Sequence, residues 1–209
     1  MRVDIWSDLV CPWCYLGKRR FEKALAAFEY SDDVETVHRS FQLDPSMPKG
    51  QPVRARDMLM RKYRMSEPEV VAAQEHLEQL AAVDGLEYHL DSYTGNTMDA
   101  HRLVHLGREQ GIQDAVIERL FRGHFTENRS LFDHESLTAL GTEAGLRNIE
   151  ELLGGTRYER DVIADHQEAH ALGARGVPFF VIDGRFGVSG AQSVEVFTGA
   201  LQRAYNRRG

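Results

Sequence analysis

The chain has 209 residues, is 42% hydrophobic and carries a formal net charge of −7. It is long enough to bury a substantial core, as one large domain or as one domain carrying an insertion, and its acidic balance argues against nucleic acid as the main partner. No apolar run approaches the length of a transmembrane helix, and Asp4 and Asp8 interrupt any apolar signal segment, so no membrane partner is expected and the expected compartment is the cytoplasm.

In chain order, residues 2–7 read as a short strand rich in β-branched and aromatic side chains. From residue 12 to 28 the apolar positions Tyr15, Leu16, Phe21, Leu25 and Phe28 recur at helical spacing. Residues 34–43 read as a second strand, ended by the breaker cluster Asp44-Pro45-Ser46-Met47-Pro48-Lys49-Gly50. Such a βαβ opening implies a parallel strand pair. Between residues 53 and 156 helix follows helix, at 56–64, 67–83, 97–110, 114–126, 133–144 and 149–153. Pro68 falls in the first turn of the second, Asn96 and Asp133 are predicted N-caps, and Gly85, Gly111 and Gly145 are predicted stops. No strand pattern is evident in this stretch. The frame resumes with a helix at 157–172, a loop, a strand at 179–182, an Asp183-Gly184 hairpin turn leading to 186–188, and a terminal helix at 194–205. The expected organisation is a discontinuous α/β domain, 1–52 with 157–209, carrying a helical subdomain at 53–156.

Cys11-Pro12-Trp13-Cys14 stands where the first strand hands over to the first helix, and it contains both cysteines of the chain. Unpaired N–H groups and the positive end of the helix dipole favour an anion at that place. A thiol there is expected to ionise more easily than free cysteine, whose pKa is about 8.5. Pro12 loses no helical bond at the first position. The pattern supports a thiolate nucleophile at Cys11, with Cys14 resolving one turn later. Two other readings of the motif are weaker. A zinc site would recruit His166 and His170, but the loop between the pairs spans most of the chain, against about a dozen residues in a zinc finger. A structural disulfide so short would constrain the unfolded chain very little.

Further segments accompany the motif: Ser7-Asp8-Leu9-Val10 before it and Tyr15-Leu16-Gly17 after it, Phe41-Gln42-Leu43-Asp44-Pro45, residues 96–103, Gly176-Val177-Pro178-Phe179-Phe180-Val181 and residues 188–192. Together they resemble the DsbA-like thioredoxin superfamily and, within it, the bacterial FrnE-like proteins. The resemblance implies an α/β, thioredoxin-like fold with an inserted all-helical subdomain, and a thiol-disulfide oxidoreductase. It also implies a cis Val177-Pro178 bond with the Val177 backbone beside Cys11, ready to pair with an extended substrate. Thioredoxin-like enzymes often place a carboxylate beneath the resolving thiol. Asp4 occupies the matching strand, although the connection to the cysteines looks one residue longer than in DsbA; the other reading of Asp4 is a solvated residue near a chain end.

Leu9, Trp13 and Tyr15 are expected to form an exposed apolar rim for substrate. Phe179 and Phe180 read as strand core. His101 and His105 share a helix face that could border the substrate side, and no catalytic role is assigned to them. The expected partners are thiols and disulfides, protein or small molecule. No bound cofactor or metal is expected, glutathione entering only as a co-substrate. The alternative function is the glutathione-dependent chemistry of hydroxychromene-carboxylate isomerases and kappa-class glutathione transferases in the same superfamily, whose members usually carry serine at the nucleophile position. Some FrnE-like proteins are associated with polyketide pathways, which hints at small aromatic substrates. Oligomeric state leaves no mark in the sequence.

Overall fold

The computed structural model describes residues 1–207. In chain order its elements are β1 (Arg2–Ser7), α1 (Pro12–Ala26), β2 (Glu35–Ser40), β3 (Val53–Arg54), α2 (Ala55–Tyr63), α3 (Glu67–Val83), β4 (Tyr93–Thr94), α4 (Met98–Glu109), α5 (Gln113–Phe125), α6 (His134–Glu143), α7 (Ile149–Gly154), α8 (Glu159–Ala171), β5 (Phe179–Ile182), β6 (Phe186–Ser189) and α9 (Val194–Asn206). The chain divides into two compact units, Met1–Leu43 with Arg160–Gly209, and Asp44–Glu159.

The first unit is built on a four-stranded sheet in the order β2-β1-β5-β6. β1 pairs parallel with β2 from Arg2↔Glu35 to Ser7↔Ser40, and antiparallel with β5, which pairs antiparallel with β6. Strand side chains alternate between faces, and the two faces have separate cores. Val3 and Ile5 of β1 join Phe21 of α1, Phe28 just beyond it, and Phe197 and Leu201 of α9 on one side. Trp6 joins Phe41, Ala169 of α8 and Phe179 on the other. On the α1 side Phe21, Phe180 and Phe197 meet with ring centroids 4.6–5.8 Å apart, each such pair contributing about 0.5–1.5 kcal/mol beyond its buried area. The β5–β6 turn places Asp183 and Gly184 at φ 49° and 66°, and the Arg185 N–H donates to the Ile182 carbonyl, the mirror-image turn that Asp-Gly favours.

The second unit is mainly helical. Asn96 Oδ1 accepts from the Met98 N–H and Asp133 Oδ1 from the Ser136 N–H, while Gly85, Gly111 and Gly145 take positive φ at helix ends. One feature departs from the sequence reading: β3 and β4 pair antiparallel as a two-stranded sheet, so the unit is not wholly helical. Strands of two residues are too short to display an alternating pattern. Inside the unit the Arg102 guanidinium is buried and donates to the carbonyls of Leu152, Gly155 and Arg157 and to Asp99, thereby satisfying carbonyls at and beyond the end of α7. His101 is buried, and the His105 ring lies 5.6 Å from that of Tyr158. Among the described residues no helix is long and apolar enough to cross a membrane.

Candidate active site

The first unit brings Cys11, Cys14, Val177 and Pro178 together. Cys11 is the N-cap of α1, in extended conformation (φ −96°, ψ 109°), with Pro12 at the first helical position. Its N–H donates to the Asp8 carbonyl at 3.0 Å, and its carbonyl accepts from the Cys14 N–H at 2.9 Å. Both cysteines are free thiols. Cys11 retains 6% exposure and Cys14 none, so of the two residues only Cys11 reaches solvent.

The Val177–Pro178 peptide is cis, and the Val177 carbonyl lies 3.7 Å from Cys11 Sγ, within range of an S–H donor. Gly17 sets how closely α1 approaches this loop. A Cβ there would stand 2.8 Å from Pro178 Cγ and 3.4 Å from the Ala191 backbone. Glycine is what the contact admits.

Cys14 is electrostatically unlike an exposed thiol. Burial pushes its pKa well above the ordinary thiol value, and the hydrogen bond and charge at Cys11 push it further. Asp8 acts in both directions: its backbone N–H favours a Cys14 thiolate, while its carboxylate charge disfavours one. Asp8 is itself 1% exposed, and its Oδ2 accepts from the Leu43 N–H at 2.7 Å.

Of the two readings of Asp4, a carboxylate beneath Cys14 or a solvated residue near a chain end, its contacts match neither. Asp4 accepts from Arg2 Nη2 at 2.7 Å and Arg39 Nε at 2.8 Å. Arg39 also binds Asp165 of α8. The strand alternation sends Ile5 toward α1 and turns Asp4 to the α8 face, away from the cysteine-bearing helix. One residue of offset on a strand reverses the face. Asp8 is the carboxylate whose field reaches Cys14. The sequence signal that could have found it is position, since a carboxylate in the connection directly before a buried thiol cannot be far from it.

The apolar rim also needs correction. Trp13 is exposed at 42%, but Leu9 is fully buried and Tyr15 is 3% exposed. Leu9 precedes the helix and points into the unit, and Tyr15 falls on the inner face of α1 beside Leu16. Phe179 and Phe180 are buried strand residues. Among the described residues no cluster of three or more His, Cys, Asp or Glu side chains is placed to hold a metal ion.

Comparison with known proteins agrees with this architecture. Residues 2–202 match the family described as the DSBA-like thioredoxin domain. The chain belongs to that family. Its fold is that of a crystallised "probable DsbA oxidoreductase" from Streptomyces coelicolor, with a TM-score of 0.97 and 48% identity over 100% of this chain and 92% of the other. It is 27% identical to the uncharacterized protein YwbO of Bacillus subtilis, across 96% of each. It shares a fold, at 17% identity and a TM-score of 0.67, with the cytosolic disulfide reductase DsbM of Pseudomonas aeruginosa, whose structure was determined with GSH; the match covers 99% of this chain and 100% of that one. In DSBA-like terms, α1 through its N-terminal cysteines and the loop before β5 meet at one end of the sheet.

Proposed function

We propose that this DSBA-like protein is a thiol-disulfide oxidoreductase of the FrnE-like type. The observation that carries the proposal is the Cys11–Cys14 pair at the N-terminus of α1 with the Val177 carbonyl 3.7 Å from Cys11 Sγ. A Cys11 thiolate attacks one sulfur of a substrate disulfide, forms a mixed disulfide and expels the other sulfur as a thiolate, which takes up a proton. Cys14 then loses its proton and attacks Cys11 Sγ. The Cys11–Cys14 disulfide forms as the second substrate thiol departs. The reverse sequence oxidises a dithiol.

Asp8 and burial divide the labour between the two sulfurs. Holding Cys14 as a thiol reserves it for the second step, and Cys11 meets the substrate. Val177 offers backbone and Trp13 an exposed ring for an extended peptide or a small thiol compound. Glutathione is the co-substrate we favour, a choice supported by the glutathione-bound reductase of the same fold. Both cysteines of the chain lie in the motif, so neither serves a separate structural bridge, which suits work in a reducing cytoplasm.

The test is mass spectrometry of the reduced protein after brief alkylation and after exposure to glutathione disulfide. Cys11 is expected to be alkylated about tenfold faster than Cys14 or more, and Cys14→Ser to accumulate glutathione on Cys11. Faster modification of Cys14, or an unmodified Cys11, overturns the assignment.

A further inference from the structure

Where the chain leaves β2, four successive backbone N–H groups are fastened to opposite sides. Ser40 donates to Asp165 Oδ2 at 3.0 Å, Phe41 to the Ser7 carbonyl at 3.0 Å, Gln42 to His166 Nδ1 at 3.2 Å and Leu43 to Asp8 Oδ2 at 2.7 Å. α8 thus supplies two adjacent acceptors, and the strand β1 with the connection before the cysteines supplies the other two.

His166 is the unusual member. An imidazole that accepts at Nδ1 is neutral and carries its proton on Nε2. That Nε2 lies 3.1 Å from Nε2 of His170, one turn further along α8, so His166 donates and His170 accepts. A neutral imidazole has one ring lone pair, and here each lone pair already receives an N–H. A proton on His166 Nδ1 would face the Gln42 N–H; a proton on His170 Nε2 would face the N–H of His166. Protonating either ring breaks one of the two bonds.

The surroundings leave this step open to solvent pH. His170 is exposed and His166 partly so. The Phe41 ring packs on both, with centroids at 4.5 and 5.4 Å. The charged groups on this side are Asp165 and Glu168 of α8, Arg39 of β2 and Asp4 of β1, and one guanidinium serves all three carboxylates, at 2.9, 4.0 and 2.8 Å.

We propose that His166 and His170 form a proton-operated clasp on the Gln42–Leu43 backbone, which sets how firmly Leu43 holds Asp8 and hence how fast Cys14 resolves a mixed disulfide. The effect on Cys14 rests on the exchange role proposed above. With both rings neutral the clasp is closed and the Leu43 N–H offsets the Asp8 charge. With a proton on either ring the segment loosens, the Asp8 charge is less compensated, and a Cys14 thiolate is harder to form. Acid therefore slows resolution beyond what thiol titration alone does.

Two measurements test this. In the first, NMR follows the reduced protein through the range in which histidines take up protons, about pH 5 to 8. The Gln42 and Leu43 amide signals are expected to move with the midpoint of the His166 and His170 rings, with His166 as the Nε2–H tautomer at the upper end. In the second, protein carrying glutathione on Cys11 is the probe, and release of glutathione is timed across the same range for wild type, His166→Asn and His170→Gln. The amide oxygens replace Nδ1 and Nε2 respectively and do not titrate. Wild type is expected to slow about fivefold more than His166→Asn on acidification, the equivalent of roughly one net hydrogen bond, and His170→Gln, in which His166 alone still takes up a proton, is expected to fall between them. If His166→Asn fails to fold, the difference between wild type and His170→Gln carries the comparison. Amides indifferent to the histidine titration, or the same pH profile in all three proteins, overturn the clasp. Tracking amides with no glutathione release at any pH would support the clasp and overturn the exchange role instead.

Discussion

Leu43 and Asp8 are joined by a 2.7 Å hydrogen bond from a backbone N–H to a buried carboxylate, linking the exit of β2 to the connection that carries the cysteines. The consequence for Cys14 has a definite sign. The carboxylate charge pushes the Cys14 pKa up, so Asp8→Asn, which preserves an acceptor for Leu43 and removes the charge, lowers it. In a Cys11→Ser background the thiolate absorbance of Cys14 is expected to appear at lower pH in Asp8→Asn. With Cys11 present, resolution of the mixed disulfide is expected to speed up severalfold near neutrality. An unchanged titration would mean that burial alone governs Cys14.

Gly17 gives a steric prediction. Alanine would improve helix propensity by about 1 kcal/mol, but its Cβ would stand 2.8 Å from Pro178 Cγ and 3.4 Å from the Ala191 backbone. Forcing a methyl into packed surroundings costs about 1–3 kcal/mol, so the clash wins. Gly17→Ala is expected to lower Tm by about 2–4 °C per net kcal/mol and to slow Cys11 exchange by displacing Val177. A rise in Tm with normal exchange would show that the loop yields freely.

The contrast between Asp4 and Asp8 shows what the sequence could and could not disclose. The motif, the strand before it and the helix after it are legible because they are local: Cys11-Pro12-Trp13-Cys14 fixes a helix start, and the spacing of Leu16, Phe21 and Leu25 fixes its inner face, although the helix ends at Ala26, short of Phe28. That Asp4 faces away from Cys14 is a matter of strand parity, a one-residue question that pattern reading cannot resolve, whereas Asp8 lies past the strand, in the connection to the cysteines. Tyr15 and Leu9 were misplaced for a related reason, since apolar residues beside a reactive thiol suit a surface and a core equally well. The β3–β4 pair escaped because two residues carry no periodicity. The Gln42–His166 bond spans 124 positions, and nothing local in either segment announces it.

Asp99 carries an acid-stability prediction for the helical unit. Burial raises its pKa, but hydrogen bonds from Arg102 and Lys49, with their charges, outweigh that and hold it below the usual carboxylate value. A depressed folded-state pKa contributes stability that is present above the unfolded value, about 3.9, and is lost as pH falls through the folded one. Asp99→Asn leaves the buried Arg102 guanidinium without its anion, at a cost of about 3 kcal/mol. Denaturant unfolding is expected to show that deficit near neutral pH and to show the two proteins converging below about pH 3.9. A constant gap down to the lowest pH would assign the cost to packing.

Trp13 sets the last expectation, because it stands between the two sulfurs and is 42% exposed. Its ring brings no ionisable group, so the charge that a Cys11 thiolate carries rests on the helix N-terminus. A histidine in its place would add a cation when protonated, stabilise the thiolate and with it the reduced protein. Stabilising the reduced form makes the couple more oxidising, as in DsbA at about −120 mV. The wild-type couple is therefore expected on the reducing side of DsbA, within about −180 to −270 mV. Trp13→His is expected to move it in the oxidising direction by about 30 mV, a tenfold change in the exchange constant. The measurement is equilibration of both proteins against glutathione redox buffers, with the oxidised fraction read by mass spectrometry. A wild-type value at or above that of DsbA would place another donor on Cys11. An unmoved variant would show that position 13 presents its side chain wholly to substrate.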